Sequence, residues 1–306
     1  MFGANFEKPG KGVDKPDPNK PRIVLFLELL WRKLWRLLRL NVMYLVICIP
    51  TFLITMILVG LLSSRVTDFF MPILAELLGF ASADMANPQF AFAAAWFDVI
   101  VRAVFAFLFT VFLGMGPATA GFTYILRNYA REEHVWLLSD FWQQTKANFK
   151  QAFIVWIIDL LVFCALVIAF DFYAGTLGAL GFLKYLIFLI GIIYVIMHFY
   201  IYQHMVTFKL PLKDLFKNSL IFAVAEAPKN LALLAVLVVV HLGLPYMSVM
   251  FAWATWVKIT LIVAEFLITV AVMGFMVNFF IYPTTEKYIK LADKDASVEN
   301  FENEEL

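Results

Sequence analysis

Residues 151–171 read QAFIVWIIDLLVFCALVIAFD, and residues 178–202 read GALGFLKYLIFLIGIIYVIMHFYIY. Between Gln151 and Phe170 the only charged side chain is Asp159, and in the second stretch the only one is Lys184. Roughly 20 apolar residues cross a bilayer as a helix. A backbone in hydrocarbon must satisfy its own hydrogen bonds, so such runs are helices. Working outward, comparable runs lie near 42–62, 98–122, 231–250 and 258–282. The expected fold is an all-α polytopic membrane bundle of about six transmembrane helices, with the lipid bilayer as its first partner.

Composition agrees. Hydrophobic residues make up 63% of the 306, and charged residues 15%. Soluble domains are ~45–50% apolar and ~25% charged. A net charge of +1 offers no basis for a nucleic-acid partner. Cys48 and Cys164 both lie in apolar runs, outside any metal or redox spacing. Residues 1–21 are polar and rich in Pro, Lys and Asp, unlike a secretory signal, and read as a disordered cytoplasmic terminus.

Charge sets the orientation. With the N-terminus inside, only Arg65, Arg102, Lys184 and Lys258 of the 24 Lys and Arg fall outside or in the outer leaflet. The rest fall on the cytoplasmic side, as the positive-inside rule requires. Both termini are then cytoplasmic. Two runs depart from a simple span. Phe90 to Ile125 is longer than one crossing needs, and the fifth run contains Gly243 and Pro245 and is open to a break.

Residues 22–290 read as one membrane domain. Residues 22–40 form an amphipathic pattern, with Glu28, Arg32, Arg36 and Arg39 on one face and Trp31 and Trp35 suited to headgroups. An interfacial helix on anionic lipid is expected, and docking on a partner is the rival reading. Phe69 to Phe80 is apolar but too short to cross, and suggests an interfacial or re-entrant helix. Residues 291–306 are acidic and polar, and read as a disordered tail.

Two inner connections look like amphipathic helices. In the first, Asp140 and Gln143 suit a capping box, with Trp142, Phe149 and Phe153 on one face. In the second, Pro211 suits a first helical turn, with Leu212, Leu215, Phe216 and Ser219 at helical spacing. Phe141, Trp142, Phe149, Leu215 and Phe216 are therefore candidate partner-binding residues. Asp140-Phe141-Trp142 echoes Asp214-Leu215-Phe216, and Asn148 and Asn230 both open spans. Either chance or two distant repeats would produce this likeness.

The stretch Gly116-Pro117-Ala118-Thr119-Ala120-Gly121, running through Arg127, Arg131-Glu132 and Asp140-Phe141-Trp142 to Asn148-Phe149-Lys150, resembles the YesL-type bacterial membrane proteins. Pro211 to Asn218, with Pro228-Lys229, is similar to the same family, and the resemblance covers roughly residues 25–290. Members of that family commonly accompany sugar-uptake systems of Gram-positive bacteria. The resemblance implies a plasma-membrane location, a link to carbohydrate import and partners among sugar ABC importer subunits. It supplies no catalytic residue.

Without any family, Gly116, Pro117 and Gly121 still form a candidate hinge or packing motif. Small residues let helices approach closely, and Pro117 can kink the inner end of the second span. Ionisable groups at membrane depth are costly, by roughly 2.5–3.5 kcal/mol on insertion scales. Asp98, Arg102, Asp159, His241 and Glu265 are therefore the candidate polar site. Asp98 and Arg102 stand at i, i+4 and can pair. Arg102 can instead reach Glu265 across the bundle. Asp159 has no cation near it in sequence, and His198 reads as interfacial. No enzyme, metal or phosphate motif is present, so neither catalysis nor a cofactor is expected. Two functions remain open: an accessory component of a carbohydrate-uptake system, or a small-solute or proton-coupled transporter using Asp159, Glu265 and Arg102.

Overall fold

The computed structural model describes residues 20–176, 178–208, 210–243, 247 and 254–304. Among these there is no strand. The helices are α1 (Arg22–Leu77), α2 (Pro88–Phe112), α3 (Pro117–Ala130), α4 (Leu137–Ala147), α5 (Phe149–Ala174), α6 (Leu183–Thr207), α7 (Leu212–Ala225), α8 (Ala227–Val238), α9 (Thr255–Ala264) and α10 (Val270–Glu304). Single π-helical turns, Val239–Gly243 and Glu265–Thr269, follow α8 and join α9 to α10. Five stretches are long and apolar enough to cross a membrane: Arg22–Leu58, Pro88–Phe112, Phe149–Ala174, Leu180–Thr207 and Thr255–Tyr288. α7 and α8 with its π turn pass the same test only together, as a pair bent by 92°, which is either a broken sixth span or a re-entrant hairpin. At most 29% of each single span's most apolar window is buried. Their outward Ile, Leu, Val and Phe form the continuous apolar surface of a multi-pass membrane protein.

The residues explain where these elements differ from expectation. Residues 22–40 are not a separate interfacial helix but the start of α1. No Gly or Pro interrupts Arg22 to Ile49, and one buried stripe runs through Phe26, Leu29, Lys33, Leu37, Leu40, Tyr44, Cys48 and Thr55 at helical spacing. Phe26 packs on Phe275, Phe279 and Phe280 of α10. Lys33 lies over the Tyr129 ring of α3. Residues 69–77 likewise continue α1.

The run expected as the second span, 98–122, is two helices, and only α2 is long and apolar enough to cross. Asn87 caps α2 by accepting from the Gln89 and Phe90 amides, and α2 ends at Phe112. Gly114 and Gly116 then take φ of +88° and +62°, a region that suits glycine. Pro117 opens α3 at its first turn, where its missing N–H costs nothing. It starts a new helix rather than kinking an old one.

The helix of the first of the two connections, α4, opens at Leu137, so Asp140 lies inside it and accepts from the Trp136 amide at 2.9 Å. It ends at Asn148, which separates Trp142 from the face shared by Phe149 and Phe153. The fifth run turns into α8 through a sharp corner at Glu226. Its residues 244–246 and 248–250 lie outside the described residues, as do residues 1–19 of the polar N-terminus. At the other end the helix runs on to Glu304 where an unfolded tail is expected, with no Gly or Pro after Pro283 to stop it.

The core lies around α3, which is buried along nearly its whole length and packs on α1, α4, α5, α6 and α10. A Cβ on Gly121 would sit 2.6 Å from the Phe141 carbonyl oxygen, so α4 could not lie this close to any other residue. Arg127 ties α3 to the end of α6. Its guanidinium donates to the Val206 carbonyl at 2.8 Å and the Thr207 hydroxyl at 2.9 Å. Burial, aided by Arg131, pulls its pKa below the usual guanidinium value, yet arginine keeps its charge.

Candidate functional site

Asp159 is fully buried on α5. Its Oδ1 accepts from the Tyr194 hydroxyl at 2.6 Å and lies 2.9 Å from His198 Nε2, both on α6. His198 Nδ1 lies 2.9 Å from the Tyr194 carbonyl, which can only accept, so Nδ1 carries a hydrogen. The contact between Nε2 and Oδ1 then needs one more proton, held by either the imidazole or the carboxyl. Asp159 and His198 are thus a proton-holding pair. Tyr194, His198 and Tyr202 stand at i, i+4 and i+8, a stripe along one face of α6. His198 is buried rather than interfacial.

A second pair joins the two π turns. His241 lies in the first and Glu265 opens the second, and His241 Nδ1 hydrogen-bonds Glu265 Oε1. Both side chains are buried, and the Phe107 and Phe112 rings stand edge-on to the imidazole. A π turn disturbs the i to i−4 ladder and leaves backbone groups to be satisfied from outside. Asn41 of α1 does this. Its amide nitrogen donates to Phe266 O at 2.7 Å, and its oxygen accepts from the Ala271 amide at 2.7 Å.

A cavity of about 90 Å³ lies against both pairs, with His198 and His241 in its wall. Tyr44, Thr119, Tyr202 and Asn278 add polar groups to the lining. Tyr44 and Thr119 share a hydrogen bond of 2.8 Å, and Thr119 accepts from the Met115 amide at 2.6 Å. Gly114 leaves the room for this, because a Cβ there would meet Thr119 at 2.9 Å and Tyr202 at 3.2 Å. Gly116 packs against Trp156, one turn before Asp159.

The remaining candidates stand apart. Arg102 pairs with Asp98 on its own helix at 2.6 Å, both partly exposed, while Glu265 is held by His241 instead. Of the candidate partner-binding residues, Phe141 and Leu215 are wholly buried in the bundle's own core, and Phe216 packs against it. Burial on α3 and α6 claims them. Trp142 and Phe149 remain 43% and 55% exposed, beside Trp136 at 70%. Among the described residues no three His, Cys, Asp or Glu side chains come together as a metal site.

Residues 96–172 match the profile of a family described as a protein of unknown function, DUF624. This range runs from the middle of α2 to near the end of α5, and so includes Arg102, the break before α3 and Asp159, but not His198, His241 or Glu265. The chain is also similar to the uncharacterized protein YteU of Bacillus subtilis (strain 168), 27% identical over 146 residues. That alignment covers 46% of this chain and 66% of the relative, just under two thirds of its length. No solved structure matches.

Proposed function

We propose that this protein is a non-enzymatic component of a bacterial plasma membrane, with both termini cytoplasmic, that acts as an accessory or regulatory partner of a carbohydrate-uptake system. The observation that carries this reading is the set of exposed apolar side chains on α4 and, past the break at Asn148, at the start of α5. Trp136, Leu138, Trp142, Phe149 and Phe153 are all exposed there, and Lys146 and Lys150 lie beside them in sequence. The YesL-type resemblance supports the same reading and nominates sugar ABC importer subunits as the partners of those side chains. Its support is partly analogy at the level of the fold. The test is mild-detergent purification from the native membrane with mass spectrometry. Importer subunits should copurify and should be lost in Trp136→Ala/Trp142→Ala, which removes only exposed groups. Recovery of the folded protein alone would sink the accessory reading.

A second reading has its own observation. The two buried His–carboxylate pairs against one cavity favour a transporter, with Asp159 and Glu265 in the pathway. Arg102 pairs with Asp98 and is not among the residues lining the cavity. Reconstituted vesicles should show a solute- or pH-driven flux that Asp159→Asn and Glu265→Gln abolish. Flux unchanged by both variants would remove this reading.

A further inference from the structure

Around the cavity, several polar groups lack a partner within the protein. Tyr202 and Asn278 line it; Asn278 Oδ1 makes no hydrogen bond, and the Tyr202 hydroxyl, with the Gly116 backbone beside it, makes none of normal geometry. His241 also lines it, and its Nε2 is free of any partner. Asp159 Oδ2, on the carboxyl behind His198 and outside the lining itself, is unpartnered too. A buried donor or acceptor left unpaired is costly. The orphan groups of the lining call for an occupant that can both donate and accept hydrogen bonds. One water needs only ~10–15 Å³ of such space, so about 90 Å³ holds a few waters.

The wall decides what else can enter. No Lys, Arg, Asp or Glu lines the cavity directly. Each carboxylate stands behind its histidine. The titratable groups at or behind the wall are Tyr44 and Cys48 from α1, Asp159 from α5, Tyr194, His198 and Tyr202 from α6, and His241 and Glu265 from the π turns. The lining residues of α2, α3, α8 and α10 are apolar, Thr, Gly or Asn. A wall of imidazoles and hydroxyls suits a proton better than a bare metal cation.

We propose that this cavity holds water and is a proton-exchange site joining the Asp159–His198 pair to the His241–Glu265 pair. The proposal rests on the second reading above and names the proton as the species handled. In the exchange, Asp159 carries a proton on its unpartnered Oδ2 besides the one held between Oδ1 and His198 Nε2; the Oδ2–H bond breaks, that proton passes to a cavity water, and the proton between the pair stays. That water releases another proton, which forms an N–H bond at His241 Nε2. The water is regenerated, no electrons move, and the reverse step restores the start. Protonated at both nitrogens, His241 is balanced by ionised Glu265. Groups linked in this way titrate as a unit rather than one by one.

The test uses full-length protein in lipid nanodiscs, with ¹⁵N-labelled histidine followed by NMR across pH. The chain has four histidines, so the signals can be assigned by substitution. Glu265→Gln should move the titration midpoint of His198 by about half a unit or more, although Glu265 does not touch it. Asn278→Leu, which fills the cavity with an apolar side chain, should reduce that coupling in the folded protein. It keeps the question answerable if Glu265→Gln fails to fold. A His198 titration unchanged by both variants would overturn the proposal, whatever flux is seen. Coupled titration without flux in vesicles would leave the proton site standing and remove only the transport reading.

Discussion

The Asp159–His198 pair sits on uninterrupted α-helices, whereas the His241–Glu265 pair sits on two facing π turns. In the first, ordinary periodicity does the positioning. Tyr194, His198 and Tyr202 share a face of α6, and Tyr194 supplies a hydroxyl to the carboxylate and a carbonyl to the imidazole. In the second, the positioning comes from a local break in periodicity, and Asn41 on another helix must satisfy the backbone the break disturbs. The first pair is held by groups of an intact helix, the second depends on a disturbed backbone that Asn41 supports. Disturbing side chains should therefore hurt the first pair more, and disturbing backbone support should hurt the second.

The largest effect is expected from Asp159→Ala. It leaves the Tyr194 hydroxyl and His198 without their acceptor, and breaking a buried pair costs about 3–5 kcal/mol. Denaturation in detergent should show a larger loss than for Glu265→Ala, and equal losses would break the comparison. Next is Asn41→Ala. It strands two backbone groups, and should cost about 1–3 kcal/mol and speed hydrogen exchange at the Ala271 amide. Exchange unchanged there would mean that Asn41 does not support the π turn.

Gly116→Ala should cost about 1–3 kcal/mol, because its φ of +62° is strained for alanine and Trp156 Cβ lies 3.1 Å from the added carbon. The strain reaches the Asp159 pair through Trp156, so a thermal shift matched by a change in the His198 NMR signal would sharpen the comparison. The smallest effect is expected from Asp98→Asn. Its ion pair with Arg102 is partly exposed and away from the cavity, so about 1 kcal/mol or less should be lost, with no change at either histidine.

Much of this is legible in the sequence, and the failures have a common cause. Apolar runs show the helices because lipid demands length and hydrophobicity. Asp159, His241 and Glu265 stand out because charge and imidazole are rare in such runs. The Asp98–Arg102 contact is one of the two pairings that spacing allows. The other two pairs join residues 39 and 24 positions apart on different helices, and a uniformly apolar segment carries no periodic mark to show which face turns inward. For the same reason nothing announces a π turn at Val239 or Glu265. Two signals were present but open to misreading. Gly114, Gly116 and Pro117 mark a full break, where a kink alone is the milder inference. His198 belongs to a stripe with Tyr194 and Tyr202 along α6, yet depth alone assigns it to the interface. Phe141 and Trp142 are adjacent and chemically alike, yet only the packing of α4 on α3 decides that the first is core and the second is surface.

The most direct test of the account is an electron cryomicroscopy or crystal map sharp enough to show bound water in the cavity beside His198 and His241. The account predicts ordered water within hydrogen-bond reach of Tyr202, Asn278 and His241 Nε2, with both His–carboxylate pairs intact. A dry cavity, or one closed by direct hydrogen bonds among those side chains, would contradict it.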